Sequence, residues 1–253
     1  MNVTDDNRME FTAHNIALPD GSYTMSAERG PFEDSGRCRA AVTAIESALG
    51  NGDRSRVRVA DLGALEGGYA VALARRGFDV TGIEGRSINI AKCRLVEERC
   101  AWPNLRFVHD DIRHLDRYGP FDAVVCAGVL YHLDEPARFL EHVGRCTRRL
   151  VVIETHYADD REPPGVTLGP WTTHDGRRGR WYNEWPEDTP PEAIEASVWA
   201  SIGNSRSFWL GKPALLDAIR AAGFTNVAEP PIEGADAEDE VRLVRTLLVA
   251  TRP

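Results

Sequence analysis

The stretch VADLGALEGGYAVALARRGFDVTGIEGR, Val59 to Arg86, constrains the fold more than any other. An apolar run stops at Asp61, a glycine-rich turn follows, and apolar residues recur at helical spacing until Gly77. A second apolar run stops at Glu84. Strand, helix and strand in this order form a βαβ unit, whose strands lie parallel with the helix crossing over one face. The alternation continues downstream. SINIAKCRLVEERCA reads as a helix with Ser87 as its N-cap, LRFVHDD and FDAVVCAGV as strands, EPARFLEHVGRCT as a helix with proline in its first turn, and RRLVVIET as a strand. Upstream, DSGRCRAAVTAIESALG sets Cys38, Val42, Ile45 and Leu49 on one helical face and ends at Gly50. Near the C-terminus KPALLDAIRAAGF reads as a helix, and NVAEPPI and RLVRTLLVATR as closing strands. The prediction is an α/β fold: a doubly wound, mostly parallel seven-stranded sheet with helices on both faces.

The pattern breaks after His156. Residues 157–210 are rich in Pro, Gly and aromatics and hold five of the six tryptophans. The expectation is one domain over 1–253, with an N-terminal extension and helix at 1–50 and an aromatic-rich insertion after the fifth strand at 157–210. Residues 1–33 show no clear periodicity. The formal net charge of −9 provides no global basic field for a polyanion, so nucleic-acid and anionic-membrane partners are not expected. The five cysteines show no C-x-x-C spacing and read as reduced and mostly buried. The polar start MNVTDDNRMEFTAHN is unlike a signal peptide, and no apolar run approaches a membrane span. A cytoplasmic protein is expected.

The turn after Asp61 asks for a nucleoside but not for phosphates. Aligned on G-x-G-x-x-G, GALEGG puts Leu65 where a pyrophosphate needs glycine, and Glu66 follows in a turn that should receive phosphate charge. A carboxylate there repels pyrophosphate unless it points away, and no Walker lysine occurs. A cofactor with a nucleoside, no phosphate and a positive end fits better. Here the sequence resembles the class I S-adenosylmethionine-dependent methyltransferases. DLGALEGG aligns with the family's D-x-G-x-G-x-G loop through Asp61, Gly63 and Gly67, with Leu65 replacing the middle glycine. GIEG, FVHDDI and FDAVVCAGVLYHLDEP are similar to its second-, third- and fourth-strand segments, in order over roughly residues 55 to 155.

The resemblance implies a Rossmann-like fold, S-adenosylmethionine as methyl donor and S-adenosylhomocysteine as product. It assigns the ribose hydroxyls to Glu84, the methionine portion to Gly63 and Gly67, and the ammonium to Asp61, and it places Ala127 among the cofactor contacts. Adenine falls to Asp111, preferred over Asp110, and to the backbone N–H of Ile112. Asp61 and Glu84 can alternatively serve only as helix caps, and Gly68 only as a packing position.

Because the sulfonium carries its own leaving group, transfer needs an aligned nucleophile first, and a base only for a protonated acceptor. His132 and His156, just beyond the fourth and fifth strands, are the catalytic candidates. Acceptor contacts are expected from Tyr131 and, in the insertion, from Arg180, Trp181, Tyr182 and Glu184, where GRWYNEW sets polar groups among aromatics. Trp199 and Trp209 read instead as a satellite core. Glu154, His156 and His132 include metal-ligand types, but without a strong ligand spacing no metal is expected. The expected reaction is methylation of oxygen or nitrogen on a small metabolite. NSRSFWLGKPALLDAIRAAGFTNV with GVLYH also resembles the wobble-uridine tRNA carboxymethyltransferase branch. Alternatives are therefore an RNA-modifying enzyme using Arg177, Arg178 and Arg180, or a silent cofactor-binding module.

Overall fold

The computed structural model describes residues 9–234 and 244–253. Five parallel strands form the sheet's centre and one edge: β1 (Arg58–Leu62), β2 (Asp79–Glu84), β3 (Leu105–His109), β4 (Phe121–Ala127) and β5 (Thr147–His156). Between them run α1 (Gly36–Leu49, ahead of β1), α2 (Gly68–Ala74), α3 (Ser87–Cys100) and α4 (Pro136–Cys146). The insertion contributes β6 (Thr172–His174), β7 (Arg177–Asn183), α5 (Pro191–Ala196) and β8 (Arg206–Leu210), followed by α6 (Lys212–Ala221), β9 (Asn226–Ala228) and β10 (Arg245–Thr251). The main sheet has seven strands in the order β3-β2-β1-β4-β5-β10-β9, with β10 antiparallel to both neighbours. The doubly wound, Rossmann-like expectation agrees with this sheet.

Two-residue alternation divides the core. Val59, Val80, Leu150 and Val152 face the layer of α1, α2 and α3, whereas Ala60, Leu62, Val151 and Ile153 face α4 and α6. The boundaries differ from expectation in two places. Ser87 is the first residue of α3, and Arg86 occupies the cap position. The strand expected over NVAEPPI ends at Ala228, because the two prolines that follow cannot donate to a ladder. Arg242 and Leu243, expected in the last strand, lie outside the described residues. All five cysteines are buried and unpaired.

The segment before α1 is ordered by buried polar contacts, which leave no periodic signal. Asn15 donates to the carbonyls of Ser26 (2.6 Å) and Gly30 (2.7 Å) and accepts from the backbone of Met25 and Ser26. Glu66, only 1% exposed, accepts from the backbone N–H groups of Thr12, Ala13 and His14 at 2.9, 3.0 and 2.7 Å and pairs with Lys92 at 2.7 Å. Burial alone would raise its carboxyl, but these donors hold it below the usual range. The insertion is not loop alone: β6, β7 and β8 form a second, antiparallel sheet. Trp209 is buried beside Ala158 and Leu168, as expected of satellite core.

His14 has a second duty. Its Nδ1 accepts from the backbone N–H of Gly68 at 3.0 Å, meeting one of the free donors at the start of α2. That bond requires an unprotonated Nδ1, and burial lowers the His14 pKa from 6.5 to about 4. Above pH 6.5 both folded and unfolded chains hold the ring neutral. As pH falls toward 4 the unfolded chain takes up a proton that the folded chain refuses, so stability is lost across that window. At 1.36 kcal/mol per unit the loss is roughly 3 kcal/mol. Asp61, raised by burial to about 7, acts in the opposite sense, favouring the fold as pH falls through the same range. The two are separated by substitution. Denaturation of His14→Asn, whose amide oxygen can accept but does not titrate, should show a flatter loss between pH 6.5 and 4 than wild type.

Candidate functional site

A cavity of about 780 Å³ opens over the C-terminal ends of the central strands, where open α/β sheets bind ligands. Its floor is the β1–α2 turn, whose backbone is unusual. Gly63, Leu65 and Gly67 all have positive φ, at 65°, 54° and 91°. A Cβ on Gly63 would lie 2.5 Å from Val129 Cγ2, so glycine is required there on two counts. Leu65 adopts the left-handed conformation that glycine takes freely, so the departure from the family's loop changes the residue and keeps a glycine-like backbone. Glu66 points away from the cavity, into the contacts with residues 12–14 and Lys92, so the charge repulsion expected of it does not act on a ligand there. No lysine lines the cavity among the described residues.

Glu84 lines the cavity. Its Oε2 accepts from Leu65 N–H and its Oε1 from Arg86 N–H, both at 2.8 Å. The Asn89 side chain also donates to this carboxylate, which keeps part of its accepting capacity for a ribose hydroxyl. Burial raises its pKa. Asp61 is 2% exposed, accepts from Ala70 N–H at 3.1 Å and is not among the lining residues, so in the structure it braces α2 from beneath the turn. Asp111, Ile112 and Ala127 line the cavity. Asp110 does not: it accepts from His114 (2.7 Å), Tyr118 (2.7 Å) and Arg117 (3.1 Å), and the bonds from His114 and Tyr118 hold its carboxyl well below the usual range. Gly67 and Gly68 are packing positions. Added Cβ atoms would meet Phe107 at Gly67, and Phe32 and His14 at Gly68.

Across the cavity, Tyr131 and His132 line the wall beyond β4. His132 Nδ1 donates to Glu184 at 2.9 Å, and the carboxylate also accepts from Ser201 N–H at 3.0 Å. A carboxylate can only accept here, which fixes the proton on Nδ1 and leaves Nε2 as the basic nitrogen. His156 stands elsewhere. Its ring stacks on Trp209 (5.0 Å, 13°) and meets Tyr131 edge-on, and it is not among the lining residues. Glu154 is clasped by Arg37 (3.2 Å) and Arg245 (2.6 Å), and all three line the cavity. That pairing occupies the carboxylate considered for a metal.

The insertion reaches the cavity through a different segment from the one its composition marks. Arg180 spends its guanidinium on the carbonyls of Asp159, Leu168 and Gly169 and on Glu162, inside the insertion. Trp181 packs on Phe208 and His174, and Tyr182 on Trp209. None of the three lines the cavity; they hold the second sheet together. The lining comes instead from Val198 to Gly203, and Trp199, expected as core, is 64% exposed at the mouth. Arg86 fixes this loop. Buried beside Glu84, it donates to the carbonyls of Ile194, Glu195, Ala200 and Ser201. The roof on the other side is Thr12 to His14 with Phe32. Arg86, Arg37, Arg245 and residues 12–14 carried no motif; only the position of Arg86 directly after the second strand offered a signal.

A family model described as a methyltransferase domain matches residues 34–229. A ubiquinone biosynthesis O-methyltransferase of Psychrobacter arcticus is 34% identical over 87 residues, which is 33% of this chain and 34% of that protein. The match to such curated relatives thus spans about a third of their length. Among solved structures, the N-terminal domain of EvdMO1 with SAH bound shares 26% identity and a TM-score of 0.64, covering 86% of this chain and 80% of that one. The fold is also that of a 1,6-didemethyltoxoflavin-N1-methyltransferase of Burkholderia thailandensis, at 17% identity and a TM-score of 0.55 over 89% of this chain and 82% of that one. The strand order, the positive-φ turn under Glu84 and the family match over most of the chain have one reading: this chain belongs to the class I S-adenosylmethionine-dependent methyltransferases.

Proposed function

We propose that this methyltransferase methylates a hydroxyl oxygen of a small organic metabolite, with His132 as general base. The observation that carries the reading is the His132–Glu184 pair at the cavity wall. A buried carboxylate that fixes one imidazole nitrogen leaves the other to take a proton. Methylation of an oxygen in the curated relatives supports the same choice. S-adenosylmethionine, the cofactor of the family, supplies an electrophilic methyl on a positively charged sulfur. Glu84 holds the ribose hydroxyls, and Asp111 with the backbone of Ile112 addresses the adenine. Gly63 and Ala127 let the methionine portion lie against bare backbone. His132 Nε2 removes the acceptor's hydroxyl proton as its oxygen attacks, and Glu184 stabilises the imidazolium that results. Residues 157–210 act as the acceptor-side lid, through Val198–Gly203 and not through GRWYNEW. Enclosure by that loop and by residues 12–14 excludes water from the reacting atoms.

Three measurements test this. Glu84→Ala should weaken cofactor binding by about 1.5–3 kcal/mol in calorimetry, the scale of a charged hydrogen bond; unchanged affinity removes Glu84 from the ribose. His132→Gln should lower kcat by about 10²–10⁴-fold with cofactor affinity nearly intact, and Glu184→Gln should move it in the same direction. If His156→Gln gives the larger loss, the base is His156. Arg86→Ala should free the lid, raising acceptor KM about tenfold and making residues 197–203 the first site of limited proteolysis. A protected loop with unchanged KM would show the insertion to be scaffold.

A further inference from the structure

Ile202 of the insertion stands over the strip that joins the residues assigned to ribose and to adenine. Gly85 follows Glu84 in the chain, and a Cβ on Gly85 would lie 3.6 Å from the carbonyl oxygen of Asp110, the residue before Asp111. The same Cβ would lie 2.9 Å from Ile202 Cδ1, so the isoleucine tip rests on bare backbone between the two polar contacts. Ile202 lines the cavity and is 46% exposed. A single exposed isoleucine is ordinary on a protein surface. This one is held in place from both sides. Ahead of it, Arg86 donates to the carbonyls of Ala200 and Ser201, and Ser201 N–H donates to Glu184. Behind it, Asn204 accepts from Arg113 at 3.1 Å and donates to the carbonyl of His132 at 2.9 Å. Arg113 also donates to Asp111 at 3.1 Å and to Asp134 at 3.4 Å, so one guanidinium ties the insertion to the adenine edge itself.

We infer that Ile202 packs on the adenine ring of the methyl donor, which makes the insertion part of the cofactor site. The inference rests on the assignment of Asp111 and Ile112 to adenine given above. A purine has a polar edge and two apolar faces. Hydrogen bonds to Asp111 and to the Ile112 N–H lie along the edge and leave the faces to be covered by something apolar. Ile112 and Leu133 bring apolar lining from the segments after β3 and β4, and Ile202 brings it from the insertion. Contact between the isoleucine and the ring removes apolar surface of both from water. The edge is prepared by the same supports. Asp111 accepts from Arg113 on both oxygens, at 2.8 Å on Oδ1 and 3.1 Å on Oδ2, so its carboxylate is oriented before the amine arrives. The loop then serves two ligands: Val198 and Trp199 stay with the acceptor, and Ile202 belongs to the donor.

The test needs no acceptor. Calorimetry compares S-adenosylhomocysteine with 5′-deoxy-5′-methylthioadenosine, which keeps the adenosine and lacks the amino-acid end. Ile202→Ala should weaken both by a similar factor of about ten, because the lost contact belongs to their shared part. Ile202→Leu should stay within about threefold of wild type. The melting temperature without ligand should be unchanged in both variants, since the side chain is half exposed. In isoleucine δ1-methyl-labelled protein, the Ile202 resonance, identified by its absence from Ile202→Leu, should move upfield on adding methylthioadenosine, the direction expected above an aromatic face. Unchanged affinities with a resonance that methylthioadenosine does not move overturn the inference and leave Ile202 to the acceptor. A loss confined to S-adenosylhomocysteine overturns it as well. S-inosylhomocysteine, in which oxygen replaces the exocyclic amine, tests the edge separately. Wild type should bind it about tenfold or more weakly than S-adenosylhomocysteine. If the two bind equally, Asp111 does not meet the amine, and an Ile202→Ala loss on methylthioadenosine then upholds the face contact by itself.

Discussion

The carboxylate of Glu66 holds together three parts of the chain that are far apart in sequence. It sits in the turn that floors the cavity, accepts three consecutive backbone N–H groups from residues 12–14, and pairs with Lys92 on α3. Three N–H groups and an ammonium on one buried carboxylate form a saturated set, and such a set is stable only with every member present. Through it the N-terminal segment is drawn over the turn, which in turn delivers His14 to the start of α2. The same residue that argues against phosphate in the sequence is thus the anchor of the cavity roof. Its charge is used inward, and the turn meets the cavity through Gly63, Ala64 and Leu65, none of them charged.

The opposite side of the cavity is assembled by the same physics with the signs exchanged. Arg86 is a buried cation whose partners are four backbone carbonyls of the insertion. Burial lowers its pKa, and the nearby Glu195, Glu84 and Glu184 oppose that effect. Since its own backbone N–H is bonded to Glu84, the residue that anchors the lid is one atom chain away from the residue assigned to the ribose. The loop of the insertion and the Glu84 rim of the cavity therefore share a support. A guanidinium with five donors can hold a loop that has no apolar stripe of its own, and a lysine at this place would leave some of those carbonyls unmet.

What could be read from the sequence follows from the range of each interaction. Strands and helices announce themselves by period, and Glu84 and Asp111 by their place at strand ends, so the sheet and the two acidic residues at that rim of the cavity were legible. The remainder depends on pairings across the chain. Glu66 with residues 12–14, Arg86 with residues 194–201, and Arg37 with Glu154 and Arg245 have no local signature, because a buried ion pair does not repeat at any spacing. The aromatic segment GRWYNEW misled in an instructive way. Large rings and polar tips read as a binding surface, but the insertion needs them to build its own small core, and only Glu184 reaches across to His132. Trp199, read as core, is exposed because the loop that carries it is held by backbone carbonyls and does not depend on its ring.

The charges around the cavity connect these supports to chemistry. Glu84 and Asp61 are buried on backbone N–H groups, and burial raises both carboxyls. Carboxylates kept in this way favour a cation above them, because a positive ligand recovers part of what burial costs. At the far end Arg37 and Arg245 are both fixed on Glu154, so that wall is ordered before any ligand arrives. Ala127 and Gly128 line the cavity at the end of β4, and His132 stands just beyond them. Its orientation depends on Glu184 of the insertion, whose carboxylate also accepts from Ser201 N–H in the lining loop, so the position of this imidazole and the position of that loop rest on one carboxylate.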